Sequence, residues 1–124
     1  MILLKGKKIA VVGVSNNEKK FGHKIFRDLL KNNLDVKAVG SKGGVIFGEK
    51  IYSKLNEIKE KIDIVVTVVP PMATEKIVEE CIELGIKEIW MQPGSESQRA
   101  IEMAKNGGIK VTSHLCIMVQ SGIW

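Results

Sequence analysis

Short β-branched runs alternate with stretches of helical periodicity along the whole chain. No other feature restricts the possible folds as much. Residues 9–14 read IAVVGV, continuously apolar, as a strand buried on both faces requires. Residues 63–69 (DIVVTVV) are the strongest strand of the sequence. Pro70 and Pro71 stop it, because proline has no N–H to offer a ladder. Residues 36–39, 88–92 and 109–112 read as further strands. Between them, Phe21, Ile25, Phe26, Leu29 and Leu30 recur at helical spacing, and Asn32 and Asn33 end that helix. Ile77, Val78, Cys81 and Leu84 mark a helix over 74–84, with Gly85 placed as its C-cap. Ser95 or Ser97 can cap a third helix, which carries Ala100, Ile101, Met103 and Ala104. Residues 40–48 hold four glycines and read as loop, with a short edge strand near 45–47. Residues 53–61 read as a short polar helix.

Strands alternating with helices imply βαβ units and a parallel sheet covered on both faces. The expected architecture is a Rossmann-like three-layer αβα sandwich, one α/β domain over residues 1–124. Its mainly parallel sheet should have five strands in the order 2-1-3-4-5. The topological switch then falls between the first strand and the strand at 63–69, where such sheets take a ligand at the carboxyl ends.

Composition bounds the partners. The chain is 44% hydrophobic with a net charge of +5, but only Arg27 and Arg99 are arginines and aromatics are few, which disfavours nucleic acid. No apolar run approaches membrane-spanning length and no signal peptide is evident. Cys81 and Cys116 lack metal or redox spacing, so the cytoplasm with free thiols is the default.

The strand ends carry the functional signal. Gly13 follows a strand and precedes a helix, so phosphate can approach backbone N–H groups there, with Ser15 and Asn16 as added donors. The rest of a G-x-G-x-x-G fingerprint is absent, and Gly22 stands too far along. On this reading Gly13 is small for the ligand's sake, and a valine there should weaken binding while leaving the fold largely intact. After the second strand an NAD site usually carries an acidic residue; here Ser41 and Lys42 stand instead, favouring a ribose phosphate. NADP and coenzyme A both offer one. Pro70 and Pro71 form a rigid apolar ledge fit to support an adenine ring. His23 and His114 have no partners at a telling spacing and read as structural or surface residues. Cys81 reads as core, and Cys116, near the carboxyl end of the sheet, as a buried thiol, with a reactive thiol as the alternative. No catalytic constellation emerges.

The succession GVSN at 13–16, VGSKGG at 39–44, VVPP at 68–71, IWMQPG at 89–94 and HLCI at 114–117 resembles the small stand-alone CoA-binding domain proteins. That family is similar to the CoA-binding domain of the succinyl-CoA ligase alpha subunit, and the likeness covers nearly the whole chain. By position, the resemblance implies Gly13, Val14 and Ser15 at the pyrophosphate. It implies Lys42 near the adenosine phosphate, and Val69, Pro70 and Pro71 against the adenine. Many members read V-N-P where this chain has V-G-S at 39–41. The resemblance supplies no catalytic apparatus. It implies non-catalytic binding of coenzyme A or an acyl-CoA, with a homodimer or a protein partner as further possibilities. The rivals are an NADP- or NAD-binding redox protein and a nucleotide-sensing subunit acting through a partner.

Overall fold

The computed structural model describes residues 2–124. In chain order the elements are β1 (Lys8–Val12), α1 (Phe21–Lys31), β2 (Asp35–Val39), β3 (Val45–Ile46), β4 (Glu49–Tyr52), a 3-10 turn (Leu55–Glu57), β5 (Ile64–Thr67), α2 (Pro71–Leu84), β6 (Glu88–Met91), α3 (Gln98–Asn106), β7 (Lys110–Ser113) and α4 (Ile117–Gln120). They build one sheet of seven strands in the order β3-β4-β2-β1-β5-β6-β7. Every neighbouring pair is parallel except β3 with β4. The expected five strands keep their expected order, but the sheet is larger than five by the β3–β4 hairpin.

That hairpin turns through two residues, since Ile46 pairs with Glu49. Phe47 and Gly48 both take positive φ, 48° and 77°, the backbone of a type I′ turn. A phenylalanine in the first turn position conceals the signal that Asn-Gly or Asp-Gly would give. β4 then adds in parallel to β2, Ala38 opposite Ile51.

The apolar runs are explained by what covers them. Ala10, Val12, Val65, Ile89 and Met91 face one layer with α2 and α3. Ile9, Val11, Ile64, Val66 and Trp90 face the other, where Ile25, Phe26 and Leu29 of α1 and Ile117 and Met118 of α4 close over them. Both faces are dry, so neither alternates with polar residues. Burying one such side chain is worth roughly 1.5–3 kcal/mol.

Element ends follow local chemistry. α2 begins at Pro71, earlier than its apolar stripe indicates, because Pro70 serves as N-cap and proline suits the first helical position. Gly85 ends it with φ at 71°. Ser97, not Ser95, caps α3, its Oγ accepting from the Ala100 N–H at 3.0 Å. The polar helix expected over 53–61 is reduced to a single 3-10 turn. Glu57 is drawn back onto Ser53, accepting from its hydroxyl at 2.7 Å, while Leu55, Ile58 and Ile62 are pulled into the core. α4 is four residues long, too short to show a period.

Candidate functional site

β1 and β5 lie side by side, and the chain leaves their carboxyl ends toward opposite faces of the sheet. A cleft of about 850 Å³ opens at that point, within the roughly 300–1,000 Å³ common for ligand pockets. Its floor and rim come from the loops after β1, β2, β4 and β5, and α2 forms one wall.

The loops after β1 and β2 are built on glycines that interlock by backbone. Gly13 has φ at +112°, and a Cβ on it would collide with the Val68 carbonyl. A Cβ on Gly22 would strike the Gly13 carbonyl, and one on Gly40 the Val14 carbonyl. Gly22 therefore does what the last glycine of a dinucleotide fingerprint does, letting a helix start press against a strand end. Sequence spacing hides this, because the loop between β1 and α1 is longer than the fingerprint allows. The same contacts correct the expectation for Gly13. Its small size serves the fold first, so a valine there must disturb the loop itself.

The start of α1 is left open to an anion. Lys20 is its N-cap and makes no side-chain cap, and no acidic residue stands in the first turn. A helix start with free N–H groups and a neighbouring ammonium attracts phosphate. The Ser15 backbone carbonyl receives a hydrogen bond from His23 Nδ1 at 2.8 Å. A carbonyl can only accept, so that nitrogen carries the proton. His23 is buried and its ring sits 5.1 Å from Phe47, which ties the hairpin tip to α1. Ser15 Oγ accepts from the Asn17 N–H at 3.0 Å and keeps its own proton to donate.

Most of the residues singled out from sequence converge on this cleft. Gly13, Val14, Ser15, Asn16, Ser41, Lys42, Val69 and Pro70 all line it. Pro71 does not: it is exposed and starts α2, so the ledge consists of Val69 and Pro70 continued by Ala73 and Ile77. Sequence reasoning missed Lys20, Lys54, Lys76 and Glu80, which also line the cleft. Ala73, Lys76, Ile77 and Glu80 were legible as one helical stripe, but nothing in the sequence says which face of α2 meets a cavity.

A second hollow of about 370 Å³ shares Gly13, Lys20, Val68, Val69 and Pro70 with the first, then runs on to Pro93, Gly94 and Ser95. Together they form an elongated track across the carboxyl edge.

Beyond that track the edge is sealed. Gln92 Oε1 accepts from the Ile117 N–H at 2.7 Å, and its Nε2 donates to Cys116 Sγ at 3.3 Å. Trp90 Nε1 donates to the Leu115 carbonyl at 2.7 Å. Cys116 is thus half-buried in a structural network rather than exposed. Cys81 is fully buried, and burial pushes its thiol up to about 12, as core placement requires. His114 lies at the surface with φ at 64°, beside the Ser113 hydroxyl. Neither histidine and neither cysteine lines the cleft.

Among the described residues no helix is long and apolar enough to cross a membrane. A family model described as "CoA binding domain" matches residues 7–122. The ADP-forming acetate–CoA ligase I of Archaeoglobus fulgidus is 31% identical over 121 residues, which cover 90% of this chain and 18% of that protein. The Bacillus subtilis protein YneT is 30% identical, with 98% of this chain and 90% of that one covered. A conserved hypothetical protein from Pyrococcus furiosus superimposes with a TM-score of 0.88 at 36% identity, covering 92% of this chain and 98% of that one. The chain therefore spans under a fifth of the A. fulgidus ligase but nearly all of the small relatives.

Proposed function

Because this chain belongs to the CoA-binding domain family, we propose that it binds coenzyme A, free or acylated, along the track over its carboxyl edge, and that it catalyses no reaction by itself. One observation carries the reading. An elongated cleft with four lysines on its lining, Lys20, Lys42, Lys54 and Lys76, crosses the switch point at an uncapped helix start. Coenzyme A is long, and its phosphates sit at one end. The start of α1 and Lys20 suit the pyrophosphate, with Ser15 and Asn16 supplying polar contacts and Gly13 and Val14, whose N–H groups are held by the Val39 carbonyl, allowing close approach. Ser41 and Lys42 suit the phosphate on the ribose. The hollow toward Pro93–Ser95 suits the pantetheine arm.

The lining offers lysines, serines and one glutamate, with no thiol or imidazole to act as nucleophile or base. A reaction on an acyl group would then fall to a partner protein, a second copy included, or to the further domains that an acetate–CoA ligase carries. The free thiols fit a cytoplasmic setting.

Titration calorimetry of the purified chain tests the proposal. CoA and acetyl-CoA are expected to bind, with NADP at least about tenfold weaker, equivalent to about 1.4 kcal/mol. No acyl-CoA should form when acetate, CoA and ATP are supplied. Tighter binding of NADP than of CoA overturns the reading in favour of a redox protein. Acyl-CoA formation by this chain alone overturns the non-catalytic part.

A further inference from the structure

α2 turns Ala73, Lys76, Ile77 and Glu80 toward the cleft. Intervals of three, four and seven residues put them on one face of the helix. The stripe starts beside Pro70 and runs about 10 Å along the helix axis. Its apolar members, Ala73 and Ile77, come before its carboxylate, Glu80. Across from them stand Ser53, Lys54 and the buried Leu55.

Glu80 is the single acidic residue on a lining that otherwise holds four lysines. Beside a phosphate a carboxylate is repulsive and works against binding. It belongs where the ligand offers a hydrogen-bond donor instead. On the adenosine end of coenzyme A, the 6-amino group of the base is such a donor, and it points away from the phosphates. The Glu80 carboxylate faces the backbone of Leu55 and the charge of Lys54, and among the described residues it forms no ion pair within 4.0 Å, so an acceptor site on it remains for a ligand. Burial pushes its carboxyl above the ordinary carboxylate range, with Lys54 and the Leu55 backbone N–H pulling the other way. A half-buried acceptor at the end of an apolar stripe is placed to read the edge of a flat ring lying on that stripe.

We propose that Glu80 is a specificity-determining residue, accepting a hydrogen bond from the 6-amino group of an adenine that lies along Ala73 and Ile77. This rests on the CoA reading above. Replacing the amino group by an oxo group puts an acceptor against the carboxylate, a repulsive pairing.

The test compares CoA with deamino-CoA, its 6-oxo counterpart, by calorimetry on wild type, Glu80→Gln and Glu80→Ala. Wild type should prefer CoA about tenfold. Glu80→Gln, whose amide presents either an acceptor or a donor, should cut that preference to about twofold or less. Glu80→Ala should abolish it. Glu80→Gln should melt close to wild type, because its amide oxygen can still accept from the Leu55 N–H, and Glu80→Ala only slightly lower, having lost that one bond. Equal affinity of wild type for the two ligands overturns the proposal, as does an unchanged preference in both variants. In either case CoA still binds and the parent reading stands. Failure of wild type to bind either ligand removes both.

Discussion

At the ends of β1 and β2 the chain turns on bare backbone, whereas at the ends of β6 and β7 it turns on side chains. The first region holds Gly13, Gly22 and Gly40, each touching a neighbouring main chain where a Cβ has no room. The second holds Trp90 and Gln92, tied by hydrogen bonds to the segment at 115–117, Cys116 included. Gln92 Oε1 accepts from the Ile117 N–H at 2.7 Å and Trp90 Nε1 donates to the Leu115 carbonyl at 2.7 Å. Both regions crown the same parallel sheet. The difference teaches where a ligand can enter. A carboxyl edge sealed by its own side chains has used its donors and acceptors, while the glycine-built edge spends the Gly13, Val14 and Gly40 N–H groups on the Val39 and Tyr52 carbonyls and leaves space beside the uncapped start of α1.

Substitutions can break this contrast from either side. The largest effect is expected for Gly13→Val. The new side chain meets the Val68 backbone and forces a β-branched residue to φ near +112°. Stability should fall by more than about 3 kcal/mol in urea unfolding, with CoA binding lost alongside. A variant with the wild-type midpoint would mean that the backbone contact yields easily, and that the glycine serves the ligand alone.

Gln92→Leu tests the sealed region. It leaves the Ile117 N–H without its acceptor in a buried site. Stability should drop by about 1–3 kcal/mol, because an unpaired buried donor loses its hydration without return. CoA affinity should hold, since Gln92 lines neither part of the track. A parallel loss of affinity would show that the two regions are coupled.

Lys42→Ala sharpens the contrast with the smallest effect. Lys42 is exposed on a loop beside Gly43 and Gly44, both at positive φ. Its removal should leave the melting temperature unchanged. It should narrow the preference for CoA over dephospho-CoA, expected at about tenfold in wild type and weaker in high salt. Equal binding of the two ligands by wild type would reduce Lys42 to a surface charge.

The sequence by itself determined the layers, the order of the five central strands and most of the loop residues that line the cleft. Those follow from local facts. An apolar run of β-branched residues has to be covered on both sides, a stripe at helical spacing has to face a sheet, and prolines or glycines end what precedes them. Position after a strand was enough to single out Gly13, Ser15 and Lys42. Tertiary structure decided the rest. Phe47 takes the positive-φ turn position with its ring beside His23 of α1, a placement no local pattern signals, so β3 and β4 were invisible as a pair. Gly22 is required by the carbonyl of Gly13, a contact made only after α1 has folded back against β1. Pro71 left the ledge because the first turn of α2 carries it outward. Lys20, Lys54, Lys76 and Glu80 converge from an N-cap, a loop and two turns of one helix, far apart in the chain. Their meeting depends on how α2 rotates as Ile77, Val78 and Cys81 bury against the sheet, a choice made by packing between distant elements and not by any pattern within one.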